Sequence, residues 1–562
     1  MLTMRKTAAW LLLVVLLFLT GCSGKIAKGS TSANSVAASK NTASDSSKAS
    51  TTVGVSLACS ITDSFNPYSA QTMINRNLSP LLYDSLVTLR NDFTPQNKLA
   101  QKITVDGTIV TVTLKSVSFS DGSSLTADDV VYCANKAMDS GTRYSYGLRS
   151  VWSVNAADAG TVVFKLKKED PYFENVLDFP IYKQNSDKKI SSDNIAIPPI
   201  GCGRYIISDD KSSLVANKGY YEGTPKIKKI TLVNTPDDEA LSHNLEVGNI
   251  TYYYSDLSDC TLPQVRGHYK TVTLNNLVYL GVNMKSVFMK NTEMRQAVSA
   301  AIDRAAIAEN AYYGNAVAAT GIYNPKWVRS NSFMQTTETK INEKVYLAQL
   351  KKIGYNKKDS SGYYVNSSGE RLTLKLVCNK ENSWRGAAAE LVRAQLKDAG
   401  IRVTVESLSW SAYKSALKNG YFDLYLGEVR IGNNMDIGEL VKKDGSAAYG
   451  ITYGASSRSA SASASDGTSS AASSTNTASG TGKTSSAGSA SSSSSEPDYA
   501  GSTASAVSKF YRGKATAGEV ASAFATELPI IPICYRTGIV SYSAALNNIE
   551  PSYSDPYFGL EK

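Results

Sequence analysis

The chain has 562 residues, 42% of them hydrophobic, and carries 59 Lys and Arg against 49 Asp and Glu, for a formal net charge of +10. That is length for two or three domains. So modest a positive excess, with no Lys/Arg block and no aromatic RNA-binding motif, argues against a nucleic-acid partner and suggests at most a preference for anionic wall or lipid surfaces. With two histidines and seven cysteines in no CxxC or metal-type spacing, the chain lacks the raw material for a His-based metal site or a Ser/His/Asp hydrolase, so no metal and no cofactor is expected.

The chain opens with Arg5 and Lys6 followed by an apolar run from Ala8 to Leu19. The run is too short to span a bilayer as a helix, and its flanks are those of a cleaved secretory signal, predicted over residues 1–21. Removing it takes away two basic residues and no acid and leaves +8. Leu19-Thr20-Gly21-Cys22 resembles the lipobox of bacterial lipoproteins, which implies lipidation at Cys22. Two acyl chains anchor stably where one binds only marginally, so the expected location is the extracytoplasmic face of the cell membrane. Residues 22–50 are Ser, Ala, Lys, Thr, Asn and Asp without apolar periodicity. Such a composition cannot offset its ordering entropy and predicts a flexible tether.

A strand is predicted over Thr52 to Ala58, a turn at Phe65-Asn66-Pro67-Tyr68, and a helix from about Thr72 to Leu82. Ile103 to Val105 and Val110 to Leu114 read as a hairpin around Asp106-Gly107. Thr126 is a good N-cap, with Asp128 and Asp129 in the first turn, where the helix dipole favours negative charge. With Cys22 acylated, Cys59, Cys133, Cys202, Cys260, Cys378 and Cys534 remain, and these are expected to be mostly free thiols, because Cys133, Cys378 and Cys534 sit in apolar surroundings. His243, after a Pro-Asp-Asp helix start, reads as a surface residue.

Lys115 and the run Phe119-Ser120-Asp121-Gly122 through Leu125-Thr126-Ala127-Asp128-Asp129-Val130 begin a series of motifs. Gly201-Cys202-Gly203-Arg204-Tyr205 comes next, then Asn217-Lys218-Gly219-Tyr220-Tyr221-Glu222-Gly223-Thr224-Pro225-Lys226. Tyr279-Leu280-Gly281-Val282-Asn283-Met284 and Arg295-Gln296-Ala297 through Ala301-Ile302-Asp303-Arg304 complete it. In this order the segments resemble the extracellular solute-binding proteins of family 5, the oligopeptide-, dipeptide- and nickel-binding receptors of ABC importers. The resemblance runs from about Thr52 to Tyr557. Cys202 and Arg204 depart from the family's Thr and Pro and put the local loop geometry in question. A plainer reading of Arg295, Asp303 and Arg304 is scaffold, with intrahelical ion pairs and caps at helical spacing.

The C-terminal half alternates. Leu372 to Val377, Arg402 to Glu406 and Phe422 to Leu426 read as strands, Ala387 to Ala399 and Tyr413 to Leu417 as helices, which argues for an α/β lobe with a partly parallel sheet. From about 455 to 496 the sequence is almost wholly Ser, Ala, Thr and Gly, a predicted disordered insertion that the fold can tolerate because loop entropy grows slowly with length. A last helix is predicted near Phe510 to Phe524. Glu527-Leu528-Pro529-Ile530-Ile531-Pro532 resembles the family's return crossing between lobes.

The resemblance implies a two-lobed periplasmic-binding-protein-like α/β fold of the class with an extra subdomain. Lobe I takes residues 51–85, 189–274 and 530–562, the extra subdomain 86–188, and lobe II 275–529. The hinge crossings are placed near Thr273 to Leu277 and Pro529 to Tyr535. It implies a monomer that closes its lobes over a small solute, expected to be an oligopeptide, and passes it to an ABC permease and its ATPase. A chelated metal, a sugar, or a signalling or adhesion role on the same fold are the alternatives. No enzyme is expected, since GxSxG and HExxH are missing and no SxxK stands with its partner motifs. Where the family anchors a ligand amine with an Asp, this chain has Phe422 through Asp436 without the matching Trp and Asp-Tyr pair. Glu428 is therefore the candidate amine partner and Arg430 the candidate carboxylate partner, with Asp436 as the third nearby charge. Trp384, Arg385 and Trp410 are expected in loops at strand ends, where α/β lobes bind ligands, and Thr72, Asn75 and Arg76 are expected to face the cleft from the other lobe.

Overall fold

The computed structural model describes residues 54–192, 196–263, 267–332, 338–452 and 502–560. Cys22, the signal, the tether and the Ser/Ala-rich insertion lie outside them.

Strand Val55–Cys59 is buried along its whole length, as suits a strand covered on both faces. It pairs in parallel with Lys229–Asn234, which continues antiparallel into Ser213–Ala216 and Tyr205–Ile207. A second four-stranded sheet is wholly antiparallel, in the order Ala100–Asp106, Ile109–Leu114, Thr161–Leu166, Val151–Asp158. Val110, Val112, Val162 and Phe164 alternate onto its buried face, against helix Ala127–Asp139. That helix starts in a reciprocal capping box, with the Asp129 carboxylate accepting from the Thr126 amide at 2.9 Å. One hydrophobic core joins the two sheets.

The third sheet builds a second lobe. Its order is Tyr252–Ser255, Ile530–Tyr542, His268–Val282, Leu424–Arg430, Thr373–Asn379, Arg402–Leu408, with Ala316–Ala318 beside Ile530–Tyr542. Thr373–Asn379 pairs in parallel with both Arg402–Leu408 and Leu424–Arg430, so the partly parallel lobe is present. Helices Ser383–Asp398 and Trp410–Asn419 make the connections between these strands. Separate cores fill its two faces.

The long strands His268–Val282 and Ile530–Tyr542 run from one lobe into the other. Their register breaks between Thr273 and Asn276, where Leu274 and Asn275 are bulged out of the ladder. The bulge is held by side chains: the Asn275 amide donates to the carbonyls of Ile431 and Gly432, both at 3.2 Å, and Asn324 donates to the Leu274 carbonyl at 2.8 Å. Such a bulge bends and twists the strand at the point of crossing.

Several expectations are corrected. The helix predicted over Thr72 to Leu82 is two short ones, Met73–Asn77 and Ser79–Leu82, because Pro80 cannot donate to the carbonyl four residues back and its ring clashes there. The helix predicted near Phe510 to Phe524 is likewise two, Ser502–Phe510 and Ala517–Glu527. Gly513 turns at φ +64° and Thr516 with Glu519 caps the second. Asp303 does cap helix Arg304–Asn310, and the guanidiniums of Arg295 and Arg304 reach backbone carbonyls of other segments. Arg295 donates to the carbonyls of Met289 and Glu527, and Arg304 to those of Ser299, Pro532 and Glu338. Both serve as clamps on backbone carbonyls that would otherwise be buried unpaired. Trp384, Arg385 and Trp410 are in helices rather than loops, because Asn382 and Ser409 accept from backbone amides three residues on and start the helices early. His243 is exposed, and all six remaining cysteines are free thiols.

Gly201 and Gly203 show why their loop needs glycine. A Cβ on either would stand 2.1 or 2.6 Å from the Leu82 carbonyl oxygen. Arg204 beside them is buried and donates to Asp555 at 2.8 Å. The departure from the family's Pro thus ties this loop to the chain's C-terminal segment.

Candidate functional site

A cavity of about 310 Å³ opens where the lobes meet. Its walls are the segment from Pro67 to Pro80, the turn from Ser140 to Tyr144, Tyr254 and Asp256, the bulged crossing at Leu274 and Asn276, Arg430, and the C-terminal Tyr553, Ser554 and Pro556. Two further chambers, of about 280 and 480 Å³, share Arg143, Tyr144 and either Arg430 or Ser554 with it.

Three guanidinium groups face this space. Arg143 begins helix Arg143–Leu148, whose N-cap is Thr142, and donates to the Tyr144 hydroxyl at 3.1 Å. Arg430 ends strand Leu424–Arg430 opposite Asn276 and donates to the Tyr553 hydroxyl at 2.6 Å. Arg76, in the last turn of Met73–Asn77, spends its Nε on the Ala70 carbonyl at 2.7 Å. All three are exposed to the cavity or its mouth, and none has a carboxylate ion-pair partner among the described residues. Burial alone would lower the Arg143 pKa, but Tyr144, Asp178 and Tyr553 outweigh it and hold the group charged. Asp178 is a buried acid under the electrostatic influence of both Arg143 and Arg430. Burial raises its pKa, which Arg143 and Arg430 only partly offset, and its Oδ2 accepts from Asn433 at 3.0 Å. A cavity with a surplus of charged, solvent-accessible guanidiniums is suited to bidentate recognition of a carboxylate or another anionic group.

The residues singled out in the sequence scatter. Arg430 and Arg76 line the cavity. Glu428 stands behind its wall, with Oε1 already engaged by Arg536 at 2.7 Å and by Asn276 at 3.0 Å. Asn75 is buried and its amide ties down the Ser60 backbone, while the Thr72 hydroxyl donates to Asp63 at 2.6 Å. Trp384 is a core residue against Tyr312 and Tyr313. Arg385 sits in the same first turn, and Trp410 is half exposed and stacked on Tyr413.

Asp436 has a different place. It lies outside the cavity in the loop from Gly432 to Asp436, which reaches from the second lobe to the antiparallel subdomain. Asp436 Oδ2 takes Arg149 Nη2 at 2.5 Å and lies 3.8 Å from Lys168 Nζ. Asn434 donates to Asp170 at 2.6 Å, and Asn175 donates to the Asn433 carbonyl at 3.3 Å. This one loop therefore joins the lobes beside the cavity, with Asn433 touching the same Asp178 that faces Arg143.

Sequence reading missed Arg143, Tyr144, Tyr254, Asp256 and Tyr553. The available signal was the excess of 33 tyrosines over 13 phenylalanines, since tyrosine combines an apolar body with a polar tip that a wet cavity can use.

The model for bacterial extracellular solute-binding proteins, family 5 Middle, matches residues 94–438. The oligopeptide-binding protein AppA of Bacillus subtilis is 27% identical over 434 residues, covering 73% of this chain and 77% of its own length. The glutathione-binding protein GsiB of Escherichia coli is 25% identical over 283 residues, 48% of this chain and about half, 55%, of that protein. Among solved structures, the ABC transporter substrate-binding protein CtaP of Listeria monocytogenes superposes with a TM-score of 0.63 at 20% identity, over 91% of this chain and 99% of its own.

Proposed function

We propose, from the premise that this chain belongs to the bacterial extracellular solute-binding proteins of family 5, that it captures an oligopeptide by its free carboxylate and delivers it to an ABC importer. The lobes described above are the two lobes of that family's fold. Kinship with an oligopeptide-binding protein over most of both chains supports a peptide. The observation that carries the reading is the set of three guanidiniums, Arg76, Arg143 and Arg430, in one interlobe cavity with no carboxylate ion pair among the described residues.

A peptide would place its carboxylate between Arg143 and Arg430, which approach from opposite lobes, and its amine toward Asp256. Both arginines then gain a charge-assisted contact only when the lobes meet around the ligand, and binding drives closure. Tyr144, Tyr254 and Tyr553 offer faces and hydroxyls to varied side chains. Main-chain and water-mediated bonds leave side-chain identity loosely specified.

The same guanidiniums favour one second reading, a metal carried as an anionic chelate. Neither His243, exposed on helix Asp238–Glu246, nor His268, against Tyr542, lines the cavity, so a metal would arrive with its own ligands. Acylation at Cys22 would hold the receptor at the membrane beside its permease, and the intact mass of the mature protein tests it. A thermal-shift panel of di- to decapeptides, nickel chelates and oligosaccharides tests the ligand class, because a ligand selective for the folded state raises stability by RT ln(1 + [L]/Kd). Peptides with a free carboxylate are expected to raise the melting temperature. A response to sugars or chelates alone would refute the peptide reading.

A further inference from the structure

The side chamber of about 280 Å³ meets the solute cavity at Arg143, Tyr144, Arg430 and Tyr553, which line both spaces. Among the described residues, the other side chamber takes Arg143 into its wall but not Arg430. Beyond the shared mouth the walls of the smaller chamber are mainly apolar. Tyr146 and Val176 come from the antiparallel subdomain, Val429 and Ile431 from the second lobe, so the chamber is complete only when the two meet. Tyr146 is held by Arg149, whose guanidinium lies 3.9 Å from the ring centroid and is ion-paired to Asp436. The polar pair in the wall is engaged with itself, Asn433 donating to Asp178 Oδ2 at 3.0 Å. A space of this size is smaller than pockets that enclose a whole drug-sized ligand, and it suits one large side chain.

We propose that this chamber receives the side chain of the ligand's last residue and selects a large apolar one, an aromatic foremost. The inference rests on the peptide reading, with the carboxylate held between Arg143 and Arg430. The last side chain branches from the carbon that bears that carboxylate, so the two arginines that take the charge also bring the side chain to the chamber's mouth. The polar groups there are then occupied: the guanidiniums by the carboxylate, the Tyr144 hydroxyl by Arg143 at 3.1 Å and the Tyr553 hydroxyl by Arg430 at 2.6 Å. What remains inward is apolar surface, whose burial rewards each added methylene, and tyrosine rings that an aromatic guest can meet edge-on or offset. A charged or amide side chain would give up its water against Val176, Val429 and Ile431. Side chains elsewhere in the ligand are loosely specified, and the last position is the exception.

The test is calorimetric titration of the full chain with the isomeric tripeptides of two alanines and one phenylalanine, which differ only in where the phenylalanine stands, and with the C-terminal amide of the isomer that ends in it. That isomer is expected to bind at least about tenfold more tightly than the others. Val429→Phe, which puts a ring into the chamber, is expected to bring it down to their level. The wild-type series decides the question by itself if the variant does not fold. Equal affinities for all isomers, or a preference for phenylalanine at another position, with amidation still weakening binding, would overturn the inference and leave the peptide reading standing. A folded Val429→Phe that keeps the wild-type preference would overturn it too. Binding of none of the isomers would overturn both.

Discussion

Replacing Asp436 by Asn removes the charge from the loop that joins the lobes and little else, since Oδ1 can still accept from the Gly438 amide at 2.8 Å. Losing one partner of a fully buried pair costs about 3–5 kcal/mol and of an exposed pair about 0–1 kcal/mol. The Asp436 side chain is 5% exposed and that of Arg149 31%, so an intermediate cost of about 2 kcal/mol is expected. The contact spans two lobes. Its loss should therefore fall on the equilibrium between joined and separated lobes rather than on either core. A shift of that size is about thirtyfold in the ratio of closed to open chains. Small-angle scattering of the free protein should show a larger radius of gyration for Asp436→Asn, and a peptide found by the melting screen should bind roughly thirtyfold more weakly. An unchanged radius together with an affinity within twofold of the wild type would refute this reasoning.

Gly203→Ala should destabilise by about 3 kcal/mol in urea unfolding, because its Cβ would meet the Leu82 backbone carbon at 2.4 Å and backbone cannot rotate away; a neutral result would show that the loop can shift. Arg204→Met should cost about 3 kcal/mol by leaving Asp555 without its buried partner, and should weaken peptide binding by loosening the segment that carries Tyr553; wild-type stability would contradict this. Asp170 is pushed up to about 6 from 3.8, first by burial and then by Asp436, against the opposing bonds from Asn434 and Tyr172. A carboxyl raised in the folded state contributes full stability below about pH 4 and loses it as pH rises through about 6, a loss of order 3 kcal/mol. Asp170→Asn should therefore gain stability relative to the wild type between pH 4 and 7, and a pH-independent difference between the two would refute the assignment.

Local order was legible in the sequence where its cause is local. The Thr126 capping box, the hairpin after Asp106 and the strand–helix alternation from Thr373 to Arg430 follow from residues within a few positions of one another. The crossing near Thr273 was also legible, although its bulge, fixed by Asn275 and Asn324, was not. The site was much less so. Arg430 and Arg76, singled out in the sequence, line the candidate cavity, but Arg143 and Tyr553 stand 287 and 123 positions from Arg430, and only the tertiary topology brings them together. Asp436, singled out as a ligand charge, lies in an ion pair with Arg149 across the lobes, a contact that spacing along one segment cannot reveal. Trp384 likewise packs inward because Asn382 starts its helix early.

The most direct test of the central claim is calorimetry of one bound peptide against its C-terminal amide, in the wild type and in Arg143→Gln. The arginine cavity predicts that amidation weakens binding to the wild type at least about tenfold and that most of this difference vanishes in the variant, as expected for the loss of a charge-assisted pair. Equal affinity for acid and amide in the wild type would contradict it.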